Sequence, residues 1–295
     1  MSDIVTGAAR IPAPLERLSA IASDYDVLLC DVWGVVHNGV AAFAEACDAL
    51  ARFRAQGGAV VLITNAPRPS AWVVRMLDKL NVPRNVFDDI VSSGDVTRGV
   101  IASRAQERVF HLGPPRDKPL FEGMTPRFGT AETADYVVCS GLFDDETETA
   151  ETYRPMLERM RARDLLMVCA NPDIVVERGD RLIYCAGAIA DLYAELGGRV
   201  LYAGKPHRPI YETALGKAVA KRGASAALSR VLAIGDSVRT DFSGAKAFGV
   251  DCLFVTGGIH AEELGSRDDP DPDALALIFA ASGGAPRAVM TRLVW

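Results

Sequence analysis

Over most of the chain, short apolar runs that end in a polar residue alternate with segments whose apolar residues recur at helical spacing, and this alternation most restricts the fold. Strands buried on both faces read as continuous hydrophobic runs, and helices that join them make the sheet parallel. The first strong run is DVLLCD (26–31), followed by FAEACDALARFRAQGG (43–58), with helical spacing and a Gly-Gly stop. AVVLITNA (59–66) is a second strand and SAWVVRMLDKLNV (70–82) a second helix. DDIVSSGDV (88–96) is a third, weaker strand running into a helix.

The texture then changes. RVFHLG, DYVVCSG and LLMVCANPD are strands again, but Pro/Gly-rich or acidic segments separate them. This pattern predicts an inserted α/β cap over residues 83–186 with a small sheet of its own. The acidic run DDETETAE (144–151) reads as the solvated start of a helix, with acids at the positive end of its dipole. Afterwards the first texture returns: RVLYAGKPHRPIYETALGKAVAKRG is strand, loop and helix, with Pro209 near the helix start. RVLAIGDSVRTDFSGAKAFGV and DCLFVTGG add strands, DDPDPDALALIFAASGG becomes helical, and PRAVMTRLV reads as a terminal strand. The expected fold is α/β: a doubly wound, Rossmann-like parallel-sheet core built from 1–82 and 187–295, carrying the cap. With 295 residues and 49% hydrophobic content, the chain can bury a core of that size.

Charge and composition exclude several functions. A net charge of −6, with no Lys/Arg run, argues against nucleic-acid binding and leaves a small or phosphorylated ligand as the expected partner. The opening MSDIVTGAARIPAPLERL lacks the apolar run of a signal peptide, and no segment approaches the roughly 20 apolar residues of a membrane span. No membrane partner and a cytoplasmic location are therefore expected. The six cysteines form no CxxC pair and lie in apolar or helical patterns, as reduced, packed thiols do.

In doubly wound folds, ligands sit beyond the carboxyl ends of the strands. Four such ends carry polar groups that fit one site: Asp31, Thr64 with Asn65, Lys205, and Asp236 to Asp241. Each alone is an ordinary cap or turn residue. Together they suit phosphoryl transfer through an enzyme carboxylate, with Asp31 as the nucleophile. Bringing a carboxylate to an anionic phosphate requires preorganised positive charge, from Lys205 and from Mg²⁺. Asp31 and Asp236 are the natural metal ligands, and Asp241 binds a metal water or orients Lys205. Thr64 Oγ and nearby backbone N–H groups would hold the phosphoryl oxygens in line.

The order DVWGV, ITN, GKP, GDSVRTD resembles the four signature loops of the haloacid dehalogenase superfamily. The insertion between ITN and GKP, with CANPD (169–173) and YCAGAIA (184–190), resembles its class IIA branch of 4-nitrophenylphosphatases and sugar or nucleotide monophosphatases. The resemblance spans roughly residues 26–260. It implies a phosphatase acting on a small phosphorylated metabolite through an aspartyl-phosphate, and a metal-ligating main-chain carbonyl on Trp33. It also implies that the cap closes over the substrate, that Asn171 and Asp173 face the leaving group, and that a homodimer can form through the cap.

One departure stands out. Most phosphatases of this superfamily place a second acid two residues after the nucleophile, to protonate the leaving alkoxide and deprotonate the attacking water; here that position is Trp33. Three readings follow: a phosphatase with a displaced acid or activated substrates, a phosphoryl-ligand sensor, or a metal-independent 2-haloacid dehalogenase. His37, six residues past Asp31, is a candidate proton donor to the substrate, and His207 is another. Arg68 and Arg208 lie near two of the signature loops and could touch a substrate carboxylate or phosphate.

Overall fold

The computed structural model of the chain describes residues 14–178 and 181–295. The stretch expected to lack a signal peptide lies, over residues 1–13, outside these residues.

In chain order, the strands and helices are β1 (Val27–Asp31), α1 (Ala44–Ala55), β2 (Ala59–Thr64), α2 (Ser70–Lys79), β3 (Asp89–Ser92), α3 (Ser93–Ser103), β4 (Arg108–Leu112), β5 (Arg127–Phe128), β6 (Tyr136–Cys139) and α4 (Arg154–Ala162). They continue with β7 (Leu166–Cys169), β8 (Val175–Arg178), β9 (Arg181–Tyr184), α5 (Ala186–Glu195), β10 (Arg199–Tyr202), α6 (Arg208–Arg222), β11 (Val231–Gly235), α7 (Ser243–Phe248), β12 (Asp251–Val255), α8 (Pro272–Ala281) and β13 (Ala288–Met290). One six-stranded sheet runs β13-β12-β11-β1-β2-β3, and a five-stranded sheet runs β10-β7-β6-β4-β5. β8 and β9 form an antiparallel hairpin.

The apolar runs form strands because they are buried on both faces. Every residue of β1, β2 and β11 is buried. β1 and β11 pair in parallel, Cys30 opposite Ile234, and β11 pairs with β12 in the same sense. In the five-stranded sheet, the period of two sorts side chains onto two faces. Val137, Cys139, Met167 and Cys169 join one apolar cluster with Leu157, Met160 and Ile189. Tyr136, Val138, Val168 and Ala170 join another with Ile101, Val109 and Leu120. Burying each large apolar side chain contributes about 1.5–3 kcal/mol. Helix ends follow their sequence signals: Ser92 and Asp95 cap α3 reciprocally, and Asp271 caps α8 by accepting from the N–H groups of Asp273 and Ala274.

Contacts divide the chain into two compact units: Met1–Leu62, Leu77–Asp89 and Ala214–Trp295 form one, Ile63–Met76 and Ile90–Thr213 the other. The expected insertion ended at residue 186, but β10 pairs with β7 in the five-stranded sheet, so that sheet extends to Tyr202. It began at residue 83, yet β3 belongs to the six-stranded sheet. All six cysteines are buried and outside any disulfide, as expected of packed thiols. Among the described residues, no helix is long and apolar enough to cross a membrane.

Candidate active site

The first group of site residues is acidic. Asp31 closes β1, and Asp236 follows β11, its parallel neighbour. Asp241 comes from a wide turn of π-type helix, Val238–Phe242, in which the N–H groups of Asp241 and Phe242 both bond to the Ser237 carbonyl. Such turns re-aim a side chain and recur at functional sites. The three residues are buried, and each offers an oxygen within 4.8 Å of the others.

Each carboxylate is held by a backbone N–H. Val32 donates to Asp31 Oδ1 at 2.7 Å, Ile259 to Asp236 Oδ2 at 2.8 Å, and Ser237 to Asp241 Oδ2 at 3.2 Å. The surrounding backbone is bare where Asp236 sits: a Cβ on Gly34, whose φ is +82°, or on Gly258 would lie 2.0 or 1.9 Å from its Oδ2. Like charges at this distance repel in a buried site, and a divalent cation reverses the sign of the interaction. Three hard carboxylate donors gathered in a cradle that a Cβ would fill suit Mg²⁺, which takes oxygen ligands and keeps its own waters.

Trp33 lies two residues past Asp31, with its indole about half exposed (48%). The ring lies over Gly39, whose φ is +86° and whose added Cβ would stand 2.4 Å from it. His37 meets the indole edge-on, with ring centroids 5.1 Å apart. His37 is fully buried, its Nδ1 accepts the Gly39 N–H at 2.9 Å, and burial pushes its pKa down to about 4. The structure therefore places His37 as a neutral ring that supports the Trp33 loop.

The second group lies in the other unit. Thr64 closes β2, and its Oγ1 accepts from Ala66 N at 3.3 Å. The Asn65 amide clamps Lys205: its Oδ1 accepts the Lys205 N–H at 2.7 Å, and its Nδ2 donates to the Lys205 carbonyl at 3.0 Å. Nδ2 also donates to Asp173 Oδ1 at 2.8 Å. Asn171 Oδ1 accepts from Asp173 N at 3.2 Å, an Asx turn after β7. The structure thus brings Asn65, Asn171, Asp173 and Lys205 together, the first three linked by hydrogen bonds that position the loops and the Lys205 backbone.

The remaining candidates are placed differently. His207 stacks on Tyr202 at 4.3 Å, and Tyr202 donates to Asp191 at 2.7 Å. Arg208 pairs with Glu212 one turn along α6, on an exposed face. Sequence reasoning missed the role of Asn65 as a clamp, because its partners lie 108 and 140 residues away. It also missed the β8–β9 hairpin, which a Gly-Asp pair between two apolar runs could have signalled.

A haloacid dehalogenase-like hydrolase family model matches residues 28–125, and a HAD-hydrolase-like model matches residues 202–279. A crystal structure of a haloacid dehalogenase-like family hydrolase from Brucella suis 1330 is 48% identical, covering 95% of this chain and 100% of that one, with a TM-score of 0.82. The 5'-nucleotidase YutF of Bacillus subtilis (strain 168) is 24% identical over 250 residues, 84% of this chain and 93% of that protein. A glycerol phosphate phosphatase from Mycobacterium tuberculosis, solved in complex with calcium, is 25% identical over 81% of this chain and 68% of that one, with a TM-score of 0.61.

If the Asn65 amide is the clamp, Asn65→Ala should destabilise the protein by about 2–3 kcal/mol in urea unfolding, from three hydrogen bonds at about 1 kcal/mol each. A change below about 0.5 kcal/mol would show that the clamp contributes little.

Proposed function

Because the chain belongs to the haloacid dehalogenase-like family of hydrolases, we propose that it is a Mg²⁺-dependent phosphatase that hydrolyses a small phosphorylated metabolite through an aspartyl-phosphate on Asp31. The observation that carries this reading is the convergence of Asp31, Asp236 and Asp241 to within 4.8 Å. Their carboxylates, with the main-chain carbonyl of Trp33, would hold Mg²⁺. When bound, the ion supplies the positive charge that lets a carboxylate approach an anionic phosphoryl group.

The Val32 N–H holds Asp31 Oδ1, orienting the carboxylate that attacks. Its attack on phosphorus breaks the bond to the leaving oxygen and forms the aspartyl-phosphate. Water then attacks phosphorus, the bond to Asp31 breaks, and inorganic phosphate leaves as the carboxylate is regenerated. Thr64 Oγ1 and the following backbone N–H groups hold the phosphoryl oxygens, and the Lys205 ammonium offsets their charge. Asn65 sets the Lys205 backbone through its paired hydrogen bonds.

Trp33 has no proton to give a leaving alkoxide, and neutral His37 is turned into the loop. Aryl and acyl phosphates, whose leaving groups depart as stable anions, are therefore the favoured substrates.

With Mg²⁺, the purified protein should hydrolyse 4-nitrophenyl phosphate and acetyl phosphate at least about 10³-fold faster than its Asp31→Asn variant; equal rates would refute the reading. Metal binding without turnover would point to a phosphoryl-ligand sensor. Chloride release from 2-chloropropionate that survives EDTA would point to a dehalogenase.

Restoring an acid tests Trp33. Trp33→Asp should raise the rate on alkyl phosphates by up to about 10²-fold and change aryl phosphates little. Comparable losses on both substrate types would show instead that the indole serves the structure of the loop.

A further inference from the structure

The five-stranded sheet has a switch point of its own. From β4 the chain crosses to β5 on one side, and from β6 it crosses to β7 on the other, so the loops leaving these adjacent parallel strands diverge. In open parallel sheets such divergence opens a crevice at the carboxyl ends, where ligands bind.

Four polar side chains meet there. His111, on β4, has its Nε2 2.9 Å from Oγ of Ser140, the residue after β6. Asp117, in the segment after β4, is buried and pairs with Arg68 Nε at 3.7 Å. Burial keeps the His111 ring neutral, with a pKa of about 4. The backbone makes room for the His111–Ser140 pair: a Cβ on Gly113 would lie 2.1 Å from Ser140 Oγ and 2.9 Å from His111 Nε2.

The ion pair with Asp117 engages the Arg68 guanidinium at Nε. The Arg68 side chain is 40% exposed, and its Nη groups make no hydrogen bond among the described residues. An arginine held this way presents an open fork of donors, the geometry that receives a carboxylate or phosphate. Arg68 lies four residues past Thr64 on the same loop, so their Cα atoms are at most about 15 Å apart. The loop between them is tied down by the Gly94 N–H, which donates to the Ala66 carbonyl at 3.1 Å.

We propose that Arg68, positioned by the buried Asp117, is a specificity-determining residue that receives a second anionic group of the substrate, a carboxylate or a second phosphate. This rests on the phosphatase reading, in which Thr64 takes the phosphoryl group to be cleaved. It selects substrates with two separated anionic groups over those with one.

The test uses matched pairs that differ in one anion: 3-phosphoglycerate against glycerol 3-phosphate, and fructose 1,6-bisphosphate against fructose 6-phosphate. The wild type should prefer the member with two anionic groups in at least one pair by about 10-fold or more in kcat/KM, and the pair identifies which anion is read. Arg68→Met should abolish that preference through KM, with kcat and the hydrolysis of 4-nitrophenyl phosphate changed less than about 2-fold; Arg68→Lys, which keeps the charge and loses the fork, should fall between. The inference is overturned if the wild type hydrolyses 4-nitrophenyl phosphate but prefers neither member with two anionic groups, or if Arg68→Met keeps the preference. If no substrate turns over, the phosphatase reading fails, and calorimetric titration of the same compounds decides the inference. Tighter binding of a member with two anionic groups by the wild type, lost in Arg68→Met, would sustain it, and equal binding or none by the wild type would overturn it.

Discussion

Three carboxylates held within 4.8 Å of one another in a buried setting carry a repulsion that the fold must oppose. Two parallel strands bring Asp31 and the neighbour of Asp236 level, a π-type turn bends Asp241 back toward them, and a backbone N–H ties each carboxylate down. Two glycines leave Asp236 its space. This arrangement costs stability without a cation and gains it with one, by the linkage that makes any ligand of the native state a stabiliser. The proposed reaction depends on it, because a nucleophilic carboxylate can approach a phosphate only where such charge is balanced.

The loop after β1 shows how a single side chain separates two tasks. The main chain at Trp33 can still offer its carbonyl, while the indole removes the acid and occupies the surface over Gly39. His37 is committed to that packing: its Nδ1 is used by Gly39, its ring by the edge of Trp33, and its burial keeps it uncharged. In the proposed reaction, substrate choice would therefore pass to leaving groups that need no proton. In the other unit, a different polar residue is committed in the same way. Asn65 uses both amide N–H donors and its oxygen on Lys205 and Asp173, so it acts by placing its neighbours.

Much of this was legible in the sequence because fully buried parallel strands leave a local mark. VLLCD, AVVLIT and VLAIG are continuous apolar runs, and the residues that follow them mark the loops where ligands gather. Strand pairing left no such mark. RVLY looks like a core strand, yet β10 joins β7, since its local pattern is the same for either sheet and only distant contacts decide. The Asn65 clamp and the His111–Ser140 and Arg68–Asp117 pairs were hidden for the same reason: their partners come from separate strand ends. His37 was visible as a histidine near the nucleophile, but burial, which sets its protonation, depends on how the loop folds over it.

The central claim is that the three carboxylates are one cation site, and calorimetric titration of Mg²⁺ into the protein and its Asp236→Asn variant tests it without any substrate. The account predicts one saturable site in the wild type, weakened at least about 10-fold in the variant, consistent with the loss of one charged ligand. Equal affinity in the two proteins, or no binding by the wild type at millimolar Mg²⁺, would contradict it.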